Sequence, residues 1–152
     1  MYVEQLGLHI NPSYPFLATS VDGLIHCDKC GTGVLEIKCP YGTKGHKWRD
    51  MNPEDCAEVA SFMCTKDSNG QLLLKQNHNY FYQVMGQMAL IETDWSDFVV
   101  WTKKGISIQR IKFQPEFWKN KMSCFLKNFY VRYFVPELYT LRIKRGRMLC
   151  HM

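Results

Sequence analysis

Apolar and polar residues alternate along this chain in two rhythms, one of period two and one of three to four. Val34, Leu35 and Ile37 form an apolar run that Glu36 interrupts and Lys38 and Pro40 close, which predicts a strand over residues 34–38. Residues 16–19 and 24–26 predict an earlier strand and its continuation around Asp22-Gly23. Gly31, Thr32 and Gly33 predict a turn between the two runs, giving a β-hairpin with a cysteine-bearing tip. Residues 52–64 predict a helix: Asn52 can cap it, Pro53 suits its first turn, and Glu54 and Asp55 suit its positive end. Residues 71–75 predict a short strand after the Asn69-Gly70 turn, and residues 77–92 predict a second helix. Residues 97–102 and 106–113 predict two strands around Lys104-Gly105. Beyond Pro115, residues Trp118, Met122, Phe125, Phe129 and Tyr133 recur at steps of three and four, as a helix with a core-packing stripe would have them. The chain has no internal repeat and no linker, and the order of elements fits a mixed α/β sheet flanked by helices.

The strand over 34–38 raises a chemical question. Side chains alternate across a strand, so Glu36 and Lys38 point the same way as Val34. Leu35 and Ile37 point the other way, where Ile37 is expected to anchor the core. One face thus turns from apolar to charged towards its end. A charged pair on a buried strand is costly without compensation, and a cleft with a bound metal would compensate. If the hairpin sets Asp22 beside Glu36, two carboxylates converge. Hard oxygen ligands of this kind suit Mg²⁺ or Mn²⁺, with Lys38 near the attacking water and the phosphate. For the bare spacing an exposed cross-strand salt bridge is the commoner explanation of Glu36 and Lys38, and it is the surrounding aspartate, turn and strand that raise the metal-site reading.

The 152 residues are enough for one domain with a real core, and 46% apolar and 14% aromatic residues exclude a disordered chain. No apolar run approaches the ~18 residues that span a bilayer, and the first residues lack the pattern of a secretory signal. The 7 cysteines are odd in number. Cys39, Cys56, Cys64 and Cys124 lie in apolar surroundings, so a reducing intracellular setting, cytoplasm or nucleus, is expected. The formal charge of +5 permits a polyanionic partner without requiring one. Arg142, Lys144, Arg145 and Arg147 close the chain without periodicity, either as a basic tail that touches phosphates or as a solvated terminus.

The order Asp22, Glu36-x-Lys38 resembles the PD-(D/E)xK nucleases. Further blocks, "PFLATSVDGLI", "GVLEIKCPYGTK", "NHNYFYQVMGQMAL", "DFVVWTKKG" and "FQPEFWKNKM", are similar to the YqaJ-type viral recombinases, relatives of the phage lambda exonuclease. The resemblance runs from about Gly7 to about Leu138. It implies a restriction-endonuclease-like core over residues 1–140, beyond which residues 141–152 are left as the basic tail, and 5′-to-3′ digestion of DNA, typically from duplex ends. It implies Mg²⁺ or Mn²⁺ held by Asp22, Glu36 and the Ile37 carbonyl, with Lys38 as the catalytic lysine. Gln83 matches the family's glutamine on the helix facing the site. Gln87 lies four residues on and is either on that same face or solvated; Tyr80 and Tyr82 are expected to pack. Some relatives form closed rings around DNA, so a homo-oligomer is within the resemblance.

There are two departures. Val21 stands where the family commonly has proline, and the family's upstream helix with a further acidic residue has no counterpart before Asp22. Glu4 is too close and in the wrong element to replace that acid. The N-terminal helix of the fold is therefore expected to be missing, through a fragment, a mispredicted gene start or a degenerate member. A catalytically weak DNA-binding or recombination partner remains the alternative function. A third reading is a zinc-stapled module, in which Cys27-x₂-Cys30 with His26 is half of a site and His46 and Cys39 are the nearby candidates.

Overall fold

The computed structural model describes residues 1–42 and 47–148 and divides the chain into two compact units, Met1–Phe113 and a second from Gln114 onward. The first unit contains β1 (Tyr2–Glu4), β2 (His9–Ile10), β3 (Ala18–Thr19), β4 (Gly23–Cys27), β5 (Gly31–Lys38), α1 (Pro53–Cys56), β6 (Cys64–Lys66), β7 (Leu72–Leu74), α2 (Asn79–Ile91), β8 (Trp95–Trp101) and β9 (Ile106–Lys112). The main sheet has the order β1-β4-β5-β8-β9. It is antiparallel except between β5 and β8, which run parallel. Parallel neighbours need a long crossover, and residues 39–94 provide it, with α2 returning across the sheet against β5 and β8.

The face of the sheet under α2 is the core. Val34, Phe98 and Val100 are buried there, opposed by Val84, Met85 and Met88 of α2. The parallel register pairs Val34 with Ser96, Glu36 with Phe98 and Lys38 with Val100, so Glu36 enters this core face. Ile37 does not anchor the core as expected: it is 39% exposed, because the covered face is the one that carries Val34 and Glu36. Helix α2 begins after His78, whose ring accepts from the Tyr80 N–H, and ends at Glu92 in a left-handed conformation.

Three other expectations are corrected. Residues 16–19 do not continue into β4; β3 pairs with β2 in a separate two-stranded sheet, and β4 starts only at Gly23. The hairpin turn lies at residues 28–30, so Gly33 is inside β5 and Gly31, with φ of 72°, starts it. The helix over 52–64 shrinks to the single turn α1. Asn52 spends its side chain on Asp55 and caps no backbone N–H. Further on, Lys75 Nζ donates to the carbonyls of Ala60 and Phe62, and pairing of β6 with β7 draws Cys64 into extended backbone.

The second unit is a helix over residues 115–140, α3, in which α-helical turns alternate with wider π-helical turns at Trp118–Ser123 and Tyr130–Phe134. The wider turns break the three-and-four spacing. The expected core stripe is only partly buried: Trp118 is buried, but Phe125 and Phe129 are 65% and 55% exposed. Cys56 and Cys64 are buried as their surroundings suggested, whereas Cys39 and Cys124 are exposed.

Candidate functional site

Glu36 is 4% exposed, near the end of β5 under α2. A carboxylate at that depth needs donors, and three side chains supply them. Its Oε1 accepts from Lys38 Nζ and from Gln83 Nε2 at 2.7 Å. Its Oε2 accepts from Gln87 Nε2 at 2.6 Å. Gln83 Oε1 accepts from Lys38 Nζ at 3.2 Å, which closes a triangle of Glu36, Lys38 and Gln83. The Lys38 ammonium also lies 4.3 Å from the centre of the Tyr80 ring, within cation–π range. Gln87 spends its second N–H on the Ser20 carbonyl at 3.1 Å, tying the approach to Asp22 to the same helix face.

Asp22 enters from the neighbouring strand. The register pairs Gly23 with Leu35, so Asp22 comes beside Glu36 as the pair is followed outward. The Asp22 N–H donates to the Leu35 carbonyl at 3.2 Å. Asp22 Oδ2 accepts from the Ile37 N–H at 2.6 Å, so the exposed aspartate is held against the peptide that joins Glu36 to Lys38. Glu36, Lys38 and Gln83 thus form one hydrogen-bonded cluster, and Asp22 adjoins it through Ile37.

Two members were under-read in the sequence. Gln87, for which a solvated position was open, is 2% exposed and bonded to Glu36. Its spacing of four from Gln83 is the signal that one helix face carries both amides. Tyr80, expected to pack, touches the cluster through Lys38, and its place three residues before Gln83 on the same helix is the corresponding signal. Glu4 lies on β1 and bonds to His26 Nε2 at 2.9 Å, in a different place from Glu36. His26 is further engaged by Thr32 and by stacking on Tyr2. Cys27 ends β4 and Cys30 lies in the hairpin turn, and His46 lies outside the described residues. Among the described residues, no three His, Cys, Asp or Glu side chains gather as a metal-holding group, and no helix is long and apolar enough to cross a membrane.

The chain resembles two crystal structures of an alkaline exonuclease, LHK-Exo, from Laribacter hongkongensis. Against the first, identity is 23% and the TM-score 0.62, over 95% of this chain and 63% of that one. Against the second, a complex with dAMP, identity is 23% and the TM-score 0.63, over the same shares. This chain therefore spans less than two thirds of the length of those exonucleases, and the likeness establishes the fold. No curated protein matches the chain. The model of the YqaJ-like viral recombinase domain matches residues 1–94, which include every residue of the cluster around Glu36. With more than half of its length matched, the chain belongs to the YqaJ-like viral recombinase domain family.

Proposed function

We propose that this chain is a metal-dependent deoxyribonuclease of the viral recombination type, digesting DNA 5′-to-3′ from duplex ends. The observation that carries this reading is the buried Glu36 carboxylate, bonded to Lys38, Gln83 and Gln87 and adjoined by Asp22. Asp22, Glu36 and the Ile37 carbonyl are hard oxygen donors, and a Mg²⁺ or Mn²⁺ that keeps several waters suits such a set. The N–H and C=O of a strand residue lie along one edge, so the Ile37 carbonyl shares the edge on which its N–H meets Asp22. An ammonium already compensates Glu36, which marks the position as one that favours a cation. When bound, such an ion polarises a phosphoryl oxygen and lowers the pKa of a water.

The protein's own groups have separable roles. Gln83 and Gln87 orient the Glu36 carboxylate from α2. Lys38, held by Gln83 and Tyr80, presents its protons to the phosphate and to the charge that builds on it. Asp22 fixes the Ile37 peptide through one carboxylate oxygen. In the test, linear duplex DNA labelled at the 5′ or the 3′ strand end is incubated with Mg²⁺ or with EDTA. Early release of the 5′ label in Mg²⁺ and none in EDTA is expected; cleavage that persists in EDTA overturns the mechanism.

One observation favours a second reading, a catalytically weak DNA-binding partner. Protein donors take both acceptor positions of Glu36 Oε1 and one of Oε2, so the buried carboxylate leaves a cation a single lone pair unless a donor is displaced. Tight, salt-sensitive DNA binding without nucleotide release is the outcome that supports this alternative.

A further inference from the structure

Beyond Lys38 the chain runs through Cys39, Pro40 and Tyr41, and this segment separates two cavities. One, of about 290 Å³, is lined by Lys38, His78 and Tyr80 and belongs to the site described above. The other, of about 240 Å³, is lined by Cys39, Pro40, Tyr41, Arg49, Trp101 and Lys103 and has no part in that chemistry. Lys38 pairs with Val100 in the parallel register, so Trp101 follows beside Cys39, on the face of the sheet opposite to Lys38.

We propose that this second cavity is a stacking subsite for an unpaired nucleobase of a single DNA strand whose backbone passes over the Cys39–Tyr41 ridge from the Lys38 side. The composition suits that ligand: exposed aromatic rings offer stacking faces, and cations meet the phosphates. Tyr41 and Trp101 are 74% and 43% exposed, unusual for rings of their size. The Arg49 guanidinium lies 5.1 Å from the centre of the Tyr41 ring. Asp50 is shared by Lys103 at 3.2 Å and Arg49 at 3.8 Å, which leaves an excess of positive charge once exposed Lys104 is counted. The walls are built into the fold. The Arg49 N–H donates to the Tyr41 carbonyl at 3.4 Å, and the Lys103 N–H donates to the Arg49 carbonyl at 2.9 Å. Stacking reads no base edge, so the subsite is indifferent to sequence.

This inference rests on the reading of the chain as a DNA-acting enzyme, and its test separates the two. The chain has 4 tryptophans; Trp48, Trp95 and Trp118 are buried, so Trp101 is the exposed reporter. Oligo-dT and oligo-dA are titrated into the 152-residue chain in EDTA, where cleavage plays no part, with tryptophan emission as the readout. Both oligonucleotides are expected to quench emission and to shield it from iodide. Trp101→Ala removes the signal, and binding by anisotropy weakens about tenfold, within the range for loss of one stacked base. Trp101→Phe restores most of the affinity, and Tyr41→Ala, at a more exposed position, weakens binding while the Trp101 signal stays measurable. Unchanged emission on DNA binding overturns the subsite, whether or not the chain cleaves DNA. Emission that follows protein concentration without DNA assigns the face to a second copy and also overturns it. Quenching without any cleavage in Mg²⁺ retains the subsite and removes the nuclease reading.

Discussion

Glu36 is the residue on which the account turns. Its charge is buried and is compensated by one ammonium and two amides. Removing the ammonium leaves the carboxylate with neutral donors only. Lys38→Met is therefore expected to lower unfolding stability by about 1–3 kcal/mol, since loss of one buried partner leaves a desolvated charge. The double variant Lys38→Met/Glu36→Gln is expected to regain at least half of that loss, because the charge goes with its partner. Urea unfolding of the three chains decides it. A neutral single variant, or a double variant no more stable than Lys38→Met, contradicts the geometry of the cluster.

Cys64 gives a pH prediction at the same scale. It is 1% exposed, and burial pushes its thiol up to about 12 from 9.0. The folded chain therefore holds this proton more tightly than the unfolded chain does. That stability is fully present below pH 9 and is lost as pH rises from 9 towards 12. Between pH 8 and pH 10 the loss from this group is about 1 kcal/mol. Wild type should lose more stability over that interval than Cys64→Ala; equal losses contradict the burial effect.

At the scale of elements, glycine shows how much local sequence concealed. Gly33 reads as a turn residue, yet it lies in β5 beside Trp95 of β8. A Cβ on Gly33 would fall inside the Trp95 indole, whose Nε1 donates to the Cys30 carbonyl at 2.8 Å and whose face is covered by Arg110 at 3.8 Å. Retreat of the ring would strain the indole hydrogen bond and displace Arg110, so Gly33→Ala is expected to cost about 1–3 kcal/mol through overpacking. Gly31→Ala meets open space and is opposed only by the φ of 72°. Thermal unfolding should therefore rank Gly33→Ala below Gly31→Ala; the reverse order would mean that the indole is not packed on Gly33.

At the scale of the molecule, β5, α2, β8 and β9 were legible because each carries a strong local period or a turn signal. The face of β5 was legible too, since Val34, Glu36 and Lys38 share it by alternation. Which face meets the core was not: that depends on where α2 lands, a long-range fact that no local period contains. The same reason explains Ile37, and Gln87, whose solvated and site-facing readings differ only in which side of α2 meets the sheet. Residues 52–64 had good helix-start residues, but pairing between β6 and β7 overrode them. Asp22, Glu36, Lys38 and Gln83 could be named from the sequence through family resemblance. Their convergence is now a geometric fact for three of them and an adjacency for Asp22.

The most direct test of the central claim compares wild type with Lys38→Ala and Glu36→Gln on linear duplex DNA at equal protein and Mg²⁺. Circular dichroism of each chain verifies folding. Wild type should release nucleotides, and each folded variant should be at least ~100-fold slower, the scale of losing a group that stabilises transition-state charge. Release at wild-type rate by either variant, or none by wild type itself, would contradict the assignment of this cluster as the cleaving centre.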